Sequence, residues 1–423
     1  MNGTNETLNT FYAFGQVFYH TWWIVLPWAF YFIFKIIFKD YVAVRSADSW
    51  HKNLKWTYLE VIPPKDIERG PKVMESICAG ISGVTTTHNT FDLWLRGAYS
   101  QDRFSFELIG EEGVAHFIIR CQKKYRNLIE AQVYAQYPGA EVIEVEDYTL
   151  RFPKVIPNKY WDMWGVDFGF TAPEAVPIKT YDRFEEDITG TMIDPMASIL
   201  EVLGTLTPDQ HIWLQYIIIP LQETWSYEVA QKKAVEKLKG VAVESGGGFL
   251  SDLGDIFRNI FSGIFGPPQF SATAKKDEQP LEFRLTPMEK ERLKATEENL
   301  GKTSYTTKMR FLYIGKRDNF SKSYVSAFIG AIKQFNDMNY NQVKPFDLSK
   351  TYGKIFFTKA IADFRKRKIY KRYRDRDPEG VKLVLSSKEL ATLYHFPDMG
   401  VKAPSVLRVA SKLGTAPPNL PIR

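Results

Sequence analysis

Cysteine is nearly missing from this chain of 423 residues, which holds only Cys78 and Cys121. A disulfide scaffold and a four-cysteine zinc site are therefore excluded, and two buried thiols are a simpler reading than one bridge. Histidine is scarce too. His20, His51, His88, His116, His211 and His395 show no metal-ligand spacing such as HExxH, so no metal ligand is assigned. No Gly-x-Ser-x-Gly elbow occurs, and the carboxylates of FEED at 184–187 lack a partner that would raise one of their pKa values for acid catalysis. The phosphate-loop ending Gly301-Lys302-Thr303 lacks the required glycine five residues earlier, where Thr296 stands, and follows a charged helical stretch rather than a strand. No catalytic residue, cofactor or metal is expected, and the protein reads as non-enzymatic.

Charge is absent from one long stretch. Residues 7–34 carry no Asp, Glu, Lys or Arg, and 17–34 is dense in Phe, Trp, Tyr, Ile, Leu and Val. About 20 apolar residues cross the hydrocarbon core as a helix, and Pro27 kinks such a helix without forbidding it. A signal peptide is disfavoured: MNGTNET has no Lys or Arg, and no small-x-small cleavage site follows. Lys35, Lys39 and Arg45 follow the run and only Glu6 precedes it, so the positive-inside rule puts the N-terminus outside and the bulk of the chain in the cytoplasm. The expectation is a single-pass membrane protein whose bulk lies in the cytoplasm, with residues 1–45 as tail and transmembrane helix.

The composition of the whole chain, 44% hydrophobic and 25% charged, is that of an ordinary globular protein. Lys+Arg 55 against Asp+Glu 49 leaves +6 over the whole chain, too mild a surplus to mark a dedicated nucleic-acid binder. WTYLEVI alternates as a strand does. A helix then succeeds Pro71, with Met74, Ile77, Cys78 and Ile81 on one face. FSFELIG and VAHFIIR flank the turn Gly110-Glu111-Glu112-Gly113 as a hairpin. YRNLIEAQVYAQYP is helical up to Pro138-Gly139, and AEVIEVEDY is a last strand. The order β-α-β-β-α-β is the ferredoxin-like split unit. A degenerate second copy is read from a helix over 192–206, strands HIWLQYIIIPL and TTKMRFLYIGK, a helix striped by Val325, Phe328, Ile329 and Ile332, and a closing NYNQVKPF. The expected fold class is α+β: a transmembrane helix, a first ferredoxin-like module (54–153), a linker (154–178), and a second module (179–346) with a long insertion (222–302). A basic helix, a short strand-helix and a tail complete residues 347–423.

The insertion contains GGGFLSDLGDIFRNIFSGIFGPP, in which Phe249, Leu250, Leu253, Ile256, Phe257, Ile260, Phe261, Ile264 and Phe265 share one helical face. Glycines and prolines bracket it. The reading is an amphipathic helix at residues 249–265 that lies on the membrane interface, with docking on protein as the alternative. Near the C-terminus, DFRKRKIYKRYRDRD gathers Arg365, Lys366, Arg367, Lys368, Lys371, Arg372, Arg374 and Arg376 around Ile369, Tyr370 and Tyr373. Such charge suits an anionic partner: lipid headgroups, an acidic protein, or nucleic acid stacked on Tyr and Arg. A solvated helix end is the bland reading. Next, VKLVLSS and Ser386-x-x-Glu389 predict a strand and a capped short helix, SKELATLYHF.

LEVIPPKDIERGPKVMESICAG, FSFELIGEEGVAHFIIRCQKKYRNLIEAQVYAQYPGAEVIEVEDY, SKELATLYHFP and APPNLP resemble the membrane-proximal N-terminal region of bacterial conjugative-transfer ATPases, the coupling-protein-like motors of type IV secretion systems. The resemblance covers most of the chain after the anchor and is most specific over 59–148. It implies a role in assembly, membrane attachment or substrate gating. A hexameric motor with a phosphate-binding loop succeeds this region in the family, and the chain ends where it would begin. The expected partners are therefore a separately encoded motor ATPase or other secretion subunits, and further copies of the chain. The competing function is a membrane-tethered nucleic-acid-binding protein that uses residues 365–376.

Overall fold

The computed structural model describes residues 54–84, 102–184, 193–221, 286–352, 358–401 and 406–408, apart from 65–66, 68–69 and 399, together with part of 16–41. The chain divides into two compact units, residues 1–55 with 86–102, and residues 56–85 with 103–423. In the first, the described residues between 16 and 41 are helical and exposed, the aromatics Trp22, Trp23, Trp28, Phe30 and Phe34 among them. No helix among the described residues is long and apolar enough to cross a membrane. The expected interfacial helix at 249–265 and the tail APPNLPIR lie outside the described residues.

The second unit is an α+β fold on a nine-stranded antiparallel sheet. Its first half runs β1 (Trp56–Ile62), α1 (Lys72–Ser82), β2 (Phe104–Glu111), β3 (Val114–Gln122), α2 (Arg126–Gln136) and β4 (Glu141–Val145). The second half runs β5 (Trp161–Phe170), α3 (Ala197–Gly204), β6 (Gln210–Pro220), α4 (Pro287–Leu300), β7 (Ser304–Lys316), α5 (Ser323–Ile332) and β8 (Val343–Pro345). Then come α6 (Thr358–Arg374), β9 (Leu383–Ser386) and α7 (Ser387–Leu393). The strands lie in the order β4-β1-β3-β2-β6-β7-β5-β8, so each half has the same internal order, fourth-first-third-second. The halves meet where their second strands, β2 and β6, pair antiparallel from Phe104↔Ile218 to Glu111↔His211. Equivalent strands paired in this way relate the halves by a local two-fold axis.

Local sequence explains most of the elements. The β2–β3 hairpin closes through Glu112 and Gly113, both at positive φ (51° and 80°), which is the backbone of a two-residue I′ turn. In the second half the same link is replaced by the insertion, whose described end is α4, started by a full capping box between Thr286 and Glu289. A second capping box joins Ser386 and Glu389 at the start of α7. β7 is long enough to pair with β5 along Asp167↔Arg310 to Trp161↔Lys316 and with β9 along Ser304↔Ser386 to Thr307↔Leu383.

One expectation is corrected. Residues 154–178 are not a linker: they hold β5, the first strand of the second half, whose alternation WDMWGVDFGF is obscured because Asp162, Asp167 and two glycines interrupt its apolar pattern. One sheet runs through both halves. Cys78 and Cys121 are free and buried, as expected.

The sheet buries both faces. On one, α1, α2, α3 and α5 cover Leu59, Phe106, Phe117, Leu214, Phe311 and Tyr313. There α7 packs against α1, and Tyr394 just beyond it stacks on Phe106 with centroids 5.0 Å apart. On the other face α6 lays Ile369, Tyr370 and Tyr373 over Ile109, Trp213, Leu312 and Ile314. Gly165 allows this approach, since a Cβ there would sit 3.2 Å from Ile369 Cγ2 and 2.5 Å from Leu312 Cδ2.

Beneath the C-terminal end of α6 lies a buried polar joint. Arg376 reaches Glu107 through Nε (3.1 Å) and Nη2 (3.2 Å), and Asp147 through Nη1 (2.5 Å) and Nη2 (2.9 Å). Ser105, Gln215 and Tyr148 also donate to Glu107. Arg376 sits at φ 47°, a left-handed conformation that disfavours side chains, so surrounding contacts must hold it there. Glu107 and Gln215 are Cα partners across the seam between the halves. Burial opposes the ionisation of Asp147, but hydrogen bonding and charge from Arg376 overcome it and hold its carboxyl at about 2. For Glu107 the same balance, burial against Arg376, also ends below the usual value.

Replacing Arg376 with Met leaves the buried Glu107 and the half-buried Asp147 without the cation they share, so Arg376→Met is expected to cost about 3–5 kcal/mol in urea denaturation at pH 7. The depressed carboxyls set the sign of the pH effect. Their stabilisation in the wild type is present above the unfolded value near 4 and lost as pH falls towards 2. The deficit of the variant should therefore shrink between pH 4 and pH 2; a constant deficit would show that the joint is not held by charge.

Candidate functional site

The eight cations of the basic run are sorted by the geometry of α6. With Ile369, Tyr370 and Tyr373 turned to the sheet, the 3.6-residue period puts Lys366 on the same face, where it pairs with Asp162 at 2.6 Å. Arg374 lies over the Tyr370 ring at 5.7 Å. Arg376 belongs to the buried joint and is 1% exposed, which removes it from any surface for an anionic partner. The reason lies in its partners: Glu107 of β2 is fully buried and Asp147, just after β4, is half-buried, and both need a cation. Arg367, Lys368 and Lys371 remain exposed. The run is therefore not one continuous basic face.

Part of it instead lines a groove. Arg365, Lys368 and Arg372, at i, i+3 and i+7, form one flank of α6 with Ile361 and Phe364. Phe346, Leu348 and Ser349, which come after β8, face them, and Gly380 and Val381 close one end. The groove encloses about 400 Å³. Its apolar residues are unusually open, with Leu348 74% and Phe364 65% exposed. Arg365 donates through Nη1 to the carbonyls of Lys350 and Tyr352 (3.3 and 2.9 Å), which fixes its reach from the helix. Arg372 is shared between Asp377 (3.4 Å) and Glu379 (3.5 Å).

Below the groove lies an unbalanced charge cluster. Asp167 of β5, which also lines the groove, accepts from Lys308 Nζ at 2.6 Å and from Arg310 Nε at 2.9 Å. Lys308 also donates to the Val381 carbonyl (2.8 Å), and Arg310 to that of Asp377 (3.3 Å). Both cations are at most 1% exposed, and Arg310 Nη1 is buried without a hydrogen-bond partner among the described residues. Burial pushes the Lys308 ammonium down to about 8 against the attraction of Asp167. One carboxylate thus serves two buried cations, and the arrangement favours an added anion over an added cation.

Other sequence expectations can be placed as well. Lys302 of the Gly301-Lys302-Thr303 stretch comes after α4, precedes β7 and pairs with Glu75 at 2.7 Å, the reverse of the strand-loop-helix that a phosphate loop needs. His116 contacts Glu60 at 2.6 Å, and His395 Nε2 lies 2.9 Å from buried Asp194 while its Nδ1 meets the Ala391 carbonyl. Among the described residues no group of His, Cys, Asp and Glu is placed to hold a metal ion. The groove itself was not read from the sequence. Its signal was present in the spacing of Ile361, Arg365, Lys368 and Arg372, but the partners after β8 and under β7 are distant in sequence.

Sheet order and groove together describe an α+β protein with an anion-favouring, amphipathic cleft. The chain belongs to the family described as a domain of unknown function (DUF8128), whose model matches residues 42–408. No curated protein matches it.

The charge imbalance makes an asymmetric prediction. Asp167→Asn strands two buried cations and should cost about 3–5 kcal/mol. Lys308→Met leaves a one-to-one Asp167–Arg310 pair and should cost only about 2 kcal/mol, the worth of its two hydrogen bonds. Urea midpoints at pH 7 measure both; a larger loss for Lys308→Met would show that the cluster has no surplus of positive charge.

Proposed function

We propose that this protein is a membrane-anchored, non-enzymatic component of a type IV secretion or conjugation-like machine, acting in assembly or as the anchor of a separately encoded motor ATPase. The anchor reading rests on one observation: the described helical residues between 16 and 41 expose Trp22, Trp23, Trp28, Phe30, Phe32 and Phe34 within a stretch free of charge over 7–34. An exposed apolar surface of this kind is unfavourable in water and favourable in a bilayer. Lys35 and Lys39 then mark the cytoplasmic end. The stretch over which the resemblance to conjugative-transfer motors is most specific, 59–148, overlaps the first β-α-β-β-α-β half. In this reading both halves are ferredoxin-like modules. Partner subunits, or further copies of the chain, are proposed to join at the sheet edges, β4 and β8, each of which pairs with a single strand among the described residues. An extended segment can add to such an edge.

A nucleic-acid role through the basic run draws less support, because Lys366 and Arg376 are engaged in ion pairs. In bacteria expressing the full chain, the protein should stay in the membrane pellet after alkaline carbonate extraction. A variant lacking residues 1–45 should move to the soluble fraction. Full-length protein in the soluble fraction would refute the anchor, and failure to co-purify any phosphate-loop ATPase after crosslinking would refute the motor partnership.

A further inference from the structure

We propose that the groove between α6 and the segment after β8 is a binding site for a single anionic phospholipid, with the phosphate at Arg365 and Lys368 and the acyl chains along Leu348, Ile361 and Phe364. The proposal rests on the membrane-anchored reading, which brings lipid within reach of the chain, and adds to it a specific site.

Three features of the cleft select this ligand class. Its floor is apolar and open: Leu348 and Phe364 expose most of their surface, and Ile361 and Phe346 a good third of theirs. Such a strip is stabilised by methylene groups and not by a small hydrophilic anion. Its rim is cationic. Lys368 has no ion pair among the described residues, and Arg365 is held only by backbone carbonyls. Guanidinium and ammonium donors remain for phosphate oxygens, which Arg matches in a planar fork and Lys as a point charge. The charge beneath the rim has the same sign, because Asp167 alone faces Lys308 and Arg310. In a low-dielectric interior that surplus is felt more strongly than in water. A ligand that answers all three is an anion carrying an apolar chain. A zwitterionic lipid brings its own cation to the rim and loses the electrostatic part. An acidic, apolar peptide has similar chemistry, so it enters as an outcome of the test.

The full chain is purified in neutral-detergent micelles doped with equal amounts of dioleoyl phosphatidylglycerol and dioleoyl phosphatidylcholine, and retained lipid is counted by native mass spectrometry. One phosphatidylglycerol per chain is expected, preferred over phosphatidylcholine by about 25-fold. That figure takes about fivefold for each of two cations, the factor equivalent to ~1 kcal/mol per charge. The double variant Arg365→Gln/Lys368→Gln should bind both lipids alike. Leu348→Ser/Phe364→Ser should lose lipid of either kind. These side chains are exposed or half-buried, so circular dichroism and melting temperature should stay unchanged in both variants. An excess of inorganic phosphate should not displace the lipid.

Equal retention of the two lipids, an undiminished preference in the Gln variant, displacement by inorganic phosphate, or stronger displacement by an Asp- and Phe-containing peptide each overturns the proposal. Failure of the anchor itself is read separately, from carbonate extraction of the full chain, and does not alter headgroup preference in micelles.

Discussion

Arg376 holds together parts of the chain that local structure leaves independent. Each half of the sheet could close its own helices over its own strands, and the seam between β2 and β6 is bridged by backbone hydrogen bonds. At that seam Glu107 is a buried acid, and the cation that hydrogen-bonds to it comes from outside its own half of the fold. Arg376 arrives from beyond α6 and answers it, and reaches Asp147 after β4 with the same guanidinium. A buried carboxylate is tolerable only when paired and hydrogen-bonded, so the seam requires the C-terminal segment in place. Tyr148 and Tyr373, whose hydroxyls lie 2.8 Å apart, extend the same joint, and their burial beside Glu107 raises both phenols well above the usual value.

The C-terminal segment therefore acts on both sides of the sheet. α6 covers one face, β9 adds to the long strand β7, and α7 and Tyr394 enter the core of the other face. Asp194, ahead of α3, anchors this passage through His395 and the Asp398 amide. The capping box of α7 is part of the anchoring as well: Glu389 Oε1 accepts the Ile178 amide at 3.0 Å while its other oxygen meets Ser386. Burial pushes Glu389 up to about 7 in spite of these donors. With its folded value above the unfolded one, this group's ionisation weakens the fold as pH rises from about 4.5 to 7.

The groove is a by-product of the same arrangement. Once α6 commits Ile369, Tyr370 and Tyr373 to the sheet, the helical period leaves Arg365, Lys368 and Arg372 along one flank. The chain leaving β8 supplies the opposite wall, and β5 and β7 supply the charge beneath. A site assembled from the flank of a structural helix needs no element of its own, which is why the composition of the run said little about it.

Local pattern alone determined the first β-α-β-β-α-β half, the buried faces of α1 and α5, the capping box of α7 and the place of the insertion, because these depend on neighbours within a few residues. Period-2 and period-3.6 patterns and a Ser-x-x-Glu spacing are local facts. β5 escaped because its buried Asp167 and Gly165 look like loop residues until Lys308, Arg310 and Ile369 are brought against them. The fate of each basic residue was also undetermined. Charge along a chain does not say which side chains will meet a buried carboxylate, since Glu107 and Arg376 lie 269 residues apart. Only the tertiary structure decided that, because desolvation makes ion pairing at the seam compulsory while at the helix flank water leaves it optional.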